Sequence, residues 1–292
     1  MPELPEVETI VRGLREKVTK RKIMDVWTDT PKILKKPKGV DNFKKEVVGE
    51  EIKDVRRRGK NILFSLSSGK TMLIHQKMTG HLLVGHWEFK NNRFVGKEIP
   101  LQEKVNNYIR VMFTFDNGLM MGLSDLRKFA KVELYKKEEL EKSKEFIGLG
   151  IEPLSSSFTL EKFKELLKTK KRGKVKQVLM DQAFIAGIGN IYADEILWDS
   201  NVHPLCDISK LKTAEIKKLF DSIKKILEKG VELRGESISD YRDIEGNKGL
   251  YDDYRKIYRR EGEKCRRCSA VIKRIKIGGR SSCFCPYCQK SC

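Results

Sequence analysis

Apolar residues at Leu4, Val7, Ile10, Val11, Leu14 and Val18 recur at helical spacing, so one stripe of an opening helix faces a core. Pro2 and Pro5 fall where a first turn tolerates proline, because the amides there lack intrahelical acceptors. The spacing predicts a helix from residue 3 to about 18. From Ile23 to Tyr135 the texture changes to short alternating or continuous apolar runs: Ile62–Leu66, Met72–His75, Ile109–Phe115, Leu119–Leu123 and Phe129–Tyr135. Gly, Asn and Ser turns separate them, which predicts a β-sandwich or barrel. The polar stretch Glu88 to Asn107 reads as a mobile loop with solvated charges.

A charged run from Glu138 leads into Gly148, Gly150, Pro153 and three serines, a linker composition. Beyond it, Leu160–Leu167, Val175–Gln182, Ile191–Trp198 and Ala214–Leu227 carry apolar residues at three-four spacing and predict a helical bundle. A Gly-rich charged stretch, Arg234 to Gly249, then precedes a cysteine cluster, and no internal repeat is found. The expected organisation is an α+β multidomain chain: a β domain over 1–136, a linker over 137–152, a helical domain over 153–258 and a cysteine module over 259–292.

Lys and Arg number 61 against 41 Asp and Glu, a net charge of +20 that attracts polyanions and makes nucleic acid the leading partner class. No run approaches the ~18 apolar residues of a membrane helix, and the N-terminus lacks a signal-peptide pattern, so the expectation is a soluble, cytoplasmic, nucleoid-associated monomer with no membrane partner. Six of the seven cysteines crowd between 265 and 292, which points to a metal rather than a disulfide framework. Cys265-x-x-Cys268 and Cys285-x-x-Cys288 match two-knuckle spacing for tetrahedral thiolate binding of one structural zinc, with Gly278-Gly279 turning a hairpin between them. Cys283 and Cys292 remain alternative ligands, and a disulfide stays open as well. From residue 259 onward ten Lys or Arg face two Glu, so the module reads as a phosphate-binding finger, although zinc ribbons also serve proteins without catalysis.

Removal of Met1 would expose Pro2. An α-amino group has a reference pKa of about 7.7–8.0, against about 10.4 for lysine, so far more of it is unprotonated near neutrality. Attack on a sugar C1′ by a secondary amine gives only a charged iminium, an electron sink for eliminating the 3′ phosphate. Glu3 adjoins that amine and Glu6 lies one turn on. Acidic residues favour any helix start, and carboxylates so placed also suit proton transfer to a sugar or leaving base.

Met1-Pro2-Glu3-Leu4-Pro5-Glu6-Val7-Glu8-Thr9 resembles the opening signature of formamidopyrimidine-DNA glycosylases, and the terminal tetrad with Gln289-Lys290 resembles their closing one. The resemblance spans essentially the whole chain. It implies a two-layer β-sandwich behind the N-terminal helix, a helix-two-turn-helix domain and a β-hairpin zinc finger. It implies base-excision repair of damaged double-stranded DNA: removal of oxidised purines (8-oxoguanine, formamidopyrimidines), then abasic-site cleavage by β,δ-elimination, without redox or nucleotide cofactor. Pro2 would be the nucleophile, Glu3 the acid/base residue and Glu6 its support.

The same resemblance gives sharper meaning to runs that are otherwise bland. Lys60, in Arg56-Arg57-Arg58-Gly59-Lys60-Asn61, would be a second cation of the catalytic site beside the lesion phosphate, where a basic run is otherwise a solvated edge. His75, Asn190 in Gly187-Ile188-Gly189-Asn190, and Arg280 after Gly278-Gly279 would grip further phosphates. By structure alone the first is a core histidine and the second a capped turn. Met78, Arg127 and Phe129 would fill the void left by an extruded base, Arg127 reading the orphaned partner. Tyr258 joins the DNA-binding set.

The family's lesion-sensing stretch resembles G-G-T-T-x-R-D-Y, where this chain has Arg234-Gly235-Glu236-Ser237-Ile238-Ser239-Asp240-Tyr241. The resemblance makes Glu236, Ser237 and Tyr241 the expected lesion-recognition residues of an altered loop over about 234–250. Arg259 likewise stands where the family has glycine. An endonuclease VIII-like branch acting on oxidised pyrimidines is the near rival, opposed by Leu4 and the Arg127-x-Phe129 pair. A non-catalytic zinc-containing DNA-binding protein is the rival from another class.

Overall fold

The computed structural model describes residues 1–238 and 240–290, and these divide into two compact units. The first holds residues 1–147 and 233–252; the second holds 148–232 and the described residues from 253 onward.

In the first unit, helix α1 spans Leu4–Val18, and its predicted stripe of Leu4, Val7, Ile10, Val11, Leu14 and Val18 is buried. An isolated helix of that length is marginal in water. Burial of each such side chain contributes about 1.5–3 kcal/mol, so tertiary packing holds it. The alternating segment folds as β1 Ile23–Thr28, β2 Leu34–Lys36, β3 Ile52–Arg58, β4 Asn61–Leu66, β5 Thr71–His75, β6 His81–Gly85, β7 Trp87–Lys90, β8 Arg93–Gly96, β9 Ile109–Phe115, β10 Met120–Ser124 and β11 Lys131–Tyr135, with α2 at Val40–Val47. It is a two-layer sandwich, not a barrel: one sheet runs β1-β9-β10-β6, the other β2-β11-β5-β4-β3. One core joins Val7, Ile10 and Leu14 to Val26 and Phe113 of the first sheet and Phe64 and Ile74 of the second.

Two expectations change here. The stretch Glu88 to Asn107 is folded: β7 and β8 pair as a hairpin through Asn91 and Asn92, both at positive φ, and two 3-10 turns follow at Ile99–Gln102 and Lys104–Asn107. Trp87 and Leu101 are its buried anchors, too widely spaced to show a period. The sequence pattern assigns 234–250 to the helical domain, whereas the structure packs 233–252 in the first unit, where Tyr241 and Ile244 join the sandwich core. The interval 137–152 contains short helices, α3 Lys137–Glu141 and α4 Lys144–Ile147.

The second unit contains α5 Leu160–Thr169, α6 Val175–Met180, α7 Asn190–Asp199 and α8 Thr213–Glu232, with edge-on contacts of Phe163 with Phe158 and Phe184 in its core. After α9, Tyr251–Tyr254, at the boundary, β12 Lys273–Ile277 and β13 Arg280–Phe284 form a hairpin. Gly278 and Gly279 both have positive φ, as a two-residue hairpin turn requires. Among the described residues, no helix is long and apolar enough to cross a membrane.

Candidate active site and metal centre

Pro2 is buried at the start of α1, with Glu3 3% and Glu6 1% exposed. Glu6 accepts the Glu3 backbone N–H at 2.7 Å with one carboxylate oxygen and the Glu236 backbone N–H at 2.9 Å with the other. Gly235, at φ +79°, makes this approach feasible: a Cβ there would lie 2.8 Å from the Glu6 side chain. Although the Met1 side chain is part exposed, its α-amino group is held below its ordinary value by burial. Glu3 and Glu6 oppose that shift and Lys60 reinforces it. Lys60, 7% exposed, occupies with Gly59 the turn between β3 and β4. The basic run before it is the end of β3, and Arg57 is spent on Glu8 at 3.0 Å, so the three arginines do not act as one patch.

His75 closes β5, and its Nδ1 accepts the Lys77 backbone N–H at 2.9 Å. Burial, then the charges of Lys77, Lys131 and Lys60, push its pKa down to about 3. The imidazole is therefore neutral at pH 7 and carries its proton on Nε2, a donor rather than a cation. Met78 and Phe129 are 39% and 51% exposed, and the Arg127 guanidinium lies 4.6 Å from the Phe129 ring centre. These exposed side chains stand on two turns fastened by Asp125, a buried residue not singled out above. Asp125 accepts the backbone N–H groups of Phe129 and Ala130 at 2.7 Å each and bonds Thr79. Its only signal was to lead the run containing Arg127 and Phe129.

In the altered loop, Glu236 and Ser237 are buried. Ser237 donates its hydroxyl to the Tyr241 carbonyl and accepts the Gly249 N–H, each at 2.9 Å, so the side chain is committed to the loop itself. Glu236 accepts the Ile238 N–H at 2.7 Å. Burial, with Glu6 and Asp243 nearby, raises the Tyr241 phenol well above its ordinary value. Arg234 and Arg259 both adopt positive φ, the conformation glycine would take more readily. Ser239 lies outside the described residues.

In the second unit, Gly189 is the N-cap of α7 and Asn190 its first helical residue, so the side chain is not the cap that the sequence suggested. Asn190 Oδ1 is buried without a hydrogen-bond partner. Arg280 stands exposed at the hairpin tip. The hairpin is seated by a pair that sequence reading missed. Lys176 and Asp194, each 1% exposed, meet at 2.7 Å, while Asp194 also accepts Ser282 Oγ at 2.6 Å and the Cys283 N–H at 3.0 Å. Glu195 accepts the N–H groups of Lys256, Ile257 and Tyr258 within 2.8–2.9 Å, which fixes the part-buried Tyr258.

The sulfurs of Cys265, Cys268, Cys285 and Cys288 all lie within 4.8 Å of one another. A tetrahedral zinc with ~2.3 Å bonds needs sulfurs ~3.8 Å apart, so the set fits. Cys283 is not a member: its thiol donates to Glu261 Oε2 at 3.4 Å. Cys292 lies outside the described residues. The tetrad is the structural zinc site, closed by four thiolates with no position left for chemistry.

Three family models match in succession: the formamidopyrimidine-DNA glycosylase N-terminal domain over residues 1–132, the formamidopyrimidine-DNA glycosylase H2TH domain over 149–242, and the zinc finger found in FPG and IleRS over 262–290. The formamidopyrimidine-DNA glycosylase of Pelotomaculum thermopropionicum is 38% identical over 290 residues, covering 99% of each chain. That of Desulforamulus reducens is 37% identical over 292 residues and the full length of both. Among solved structures, the Lactococcus lactis Fpg in complex with abasic-site DNA aligns with a TM-score of 0.85 at 32% identity over 99% of each chain. The same organism's FPG (MutM) with Fapy-dG DNA aligns at 0.84 and 31%, over 99% of this chain and all of the other. Sandwich, helix-two-turn-helix unit and zinc finger together define a glycosylase/lyase class of enzyme. The chain belongs to the formamidopyrimidine-DNA glycosylase family.

Proposed function

We propose that this enzyme excises oxidised purines, 8-oxoguanine and formamidopyrimidines, from duplex DNA and cleaves the resulting abasic site through Pro2. The observation that carries the reading is Pro2 buried at the head of α1 with the buried side chains of Glu3, Glu6 and Lys60 around the chain start.

With Met1 removed, the neutral Pro2 nitrogen attacks C1′ and gives up its proton. The bond from C1′ to the base breaks and the base leaves protonated. Glu3 delivers a proton to the ring oxygen as the sugar opens, which leaves an iminium between Pro2 and C1′. Loss of a C2′ proton then expels the 3′ phosphate, and loss of a C4′ proton expels the 5′ phosphate. Hydrolysis frees the amine. Glu6 holds the Glu3 amide and the recognition loop in register, and Lys60 faces the lesion phosphate. His75, Asn190 and Arg280 supply further phosphate contacts. Met78, Arg127 and Phe129 fill the gap left by the extruded base. Tyr241, packed in the sandwich core, supports the Glu236–Ser237 backbone that borders the base, and Tyr258 steadies the strand.

Paired duplexes containing 8-oxoguanine or an oxidised pyrimidine, each opposite a matched base, test this. The expected result is faster release of the purine and a one-nucleotide gap with phosphates on both ends. Preferential pyrimidine release would favour the endonuclease VIII-like reading. Binding without base release would favour a non-catalytic protein.

A further inference from the structure

The segment of two 3-10 turns before β9 and the recognition loop are joined by one strong pair. Arg242 Nε and Nη2 donate to the two carboxylate oxygens of Glu103, each at 2.6 Å, the bidentate geometry that makes such pairs directional. The Arg242 side chain is 6% exposed, and its Nη1 donates to the Tyr241 carbonyl at 2.7 Å, the acceptor also used by Ser237 Oγ. A second contact lies beside it: Gly246, at φ +90°, packs so closely that a Cβ would sit 2.8 Å from the Pro100 carbonyl. Val84 of β6 adds a backbone bond to the Ile244 carbonyl at 2.6 Å.

These bonds form a continuous path from Glu103 through Arg242, the Tyr241 carbonyl and Ser237 to Glu236, whose N–H reaches Glu6. We propose that Glu103 and Arg242 are positioning residues that hold the recognition loop ready for an extruded base, and that they serve the base-excision step alone. The proposal rests on the function given above. A loop that grips a base has nothing to grip once the base is gone, whereas elimination at an abasic site needs only the amine, its proton carriers and the phosphate contacts. Loosening the loop should therefore slow the first step and spare the second.

The test uses the full zinc-loaded protein with Glu103→Gln, Arg242→Gln and the charge exchange Glu103→Arg/Arg242→Glu. Single-turnover excision from an 8-oxoguanine:cytosine duplex is measured beside strand cleavage at a preformed abasic site. The single variants should lose roughly ten- to hundred-fold in excision, the scale of a small misplacement of substrate groups. They should cleave the abasic site at the wild-type rate, and the exchange should recover part of the loss. Equal losses in both reactions would mark a merely structural pair and overturn the proposal, as would no loss in either. If the wild type excises only an oxidised pyrimidine, the lesion assignment fails while the clamp is tested on that base. A wild type that excises neither overturns both.

Discussion

Glu6 accepts the backbone N–H of Glu236 across 230 residues of sequence, at 2.9 Å. The same carboxylate accepts the Glu3 N–H, so one buried side chain fastens the residue after Pro2 to the segment 233–252. Glu6→Gln retains one acceptor and strands one amide, while Glu6→Ala strands both. Each stranded buried donor costs about 1–3 kcal/mol. Urea denaturation should rank wild type above Gln above Ala, and excision should fall in the same order. Equal stability of all three would remove Glu6 from this role.

His75 links the site to pH in a defined direction. Its folded pKa of about 3 lies below its ordinary value of 6.5, so between those values the unfolded chain binds a proton that the folded chain refuses. Stability contributed by this group is present above pH 6.5 and is lost as pH falls toward 3. Denaturation from pH 4 to 8 should show wild type losing more stability on acidification than His75→Gln. Parallel curves would contradict the buried neutral imidazole.

The finger separates ligand from bystander. Cys285→Ser should bind zinc weakly, unfold the β12–β13 hairpin and, by displacing Arg280, weaken DNA binding. Cys283→Ser should keep one zinc by elemental analysis. Arg280→Ala should keep the metal but lower the salt slope of DNA affinity by about 0.9, the share of one phosphate contact. Zinc loss in Cys283→Ser would overturn the ligand set.

Much of this was legible in the sequence because its signals are local. The α1 stripe, the β9 run, the tetrad spacing and the Gly278-Gly279 turn each lie within about 25 consecutive residues. What was not legible depends on distant partners. Lys176 and Asp194 sit where a helix charge is usually solvated, and only folding brings them together at 1% exposure. Glu103 lies in a polar stretch whose order comes from Trp87, Leu101 and Arg242 rather than from its own pattern. Arg234 and Arg259 conceal turns that glycine would have announced.

Borohydride trapping on an 8-oxoguanine:cytosine duplex tests whether Pro2 is the nucleophile. The expected result is a covalent adduct whose peptide carries the sugar remnant on Pro2, formed at lower yield by Pro2→Gly. An adduct mapped to Lys60 or another lysine, or undiminished trapping by the variant, would contradict it.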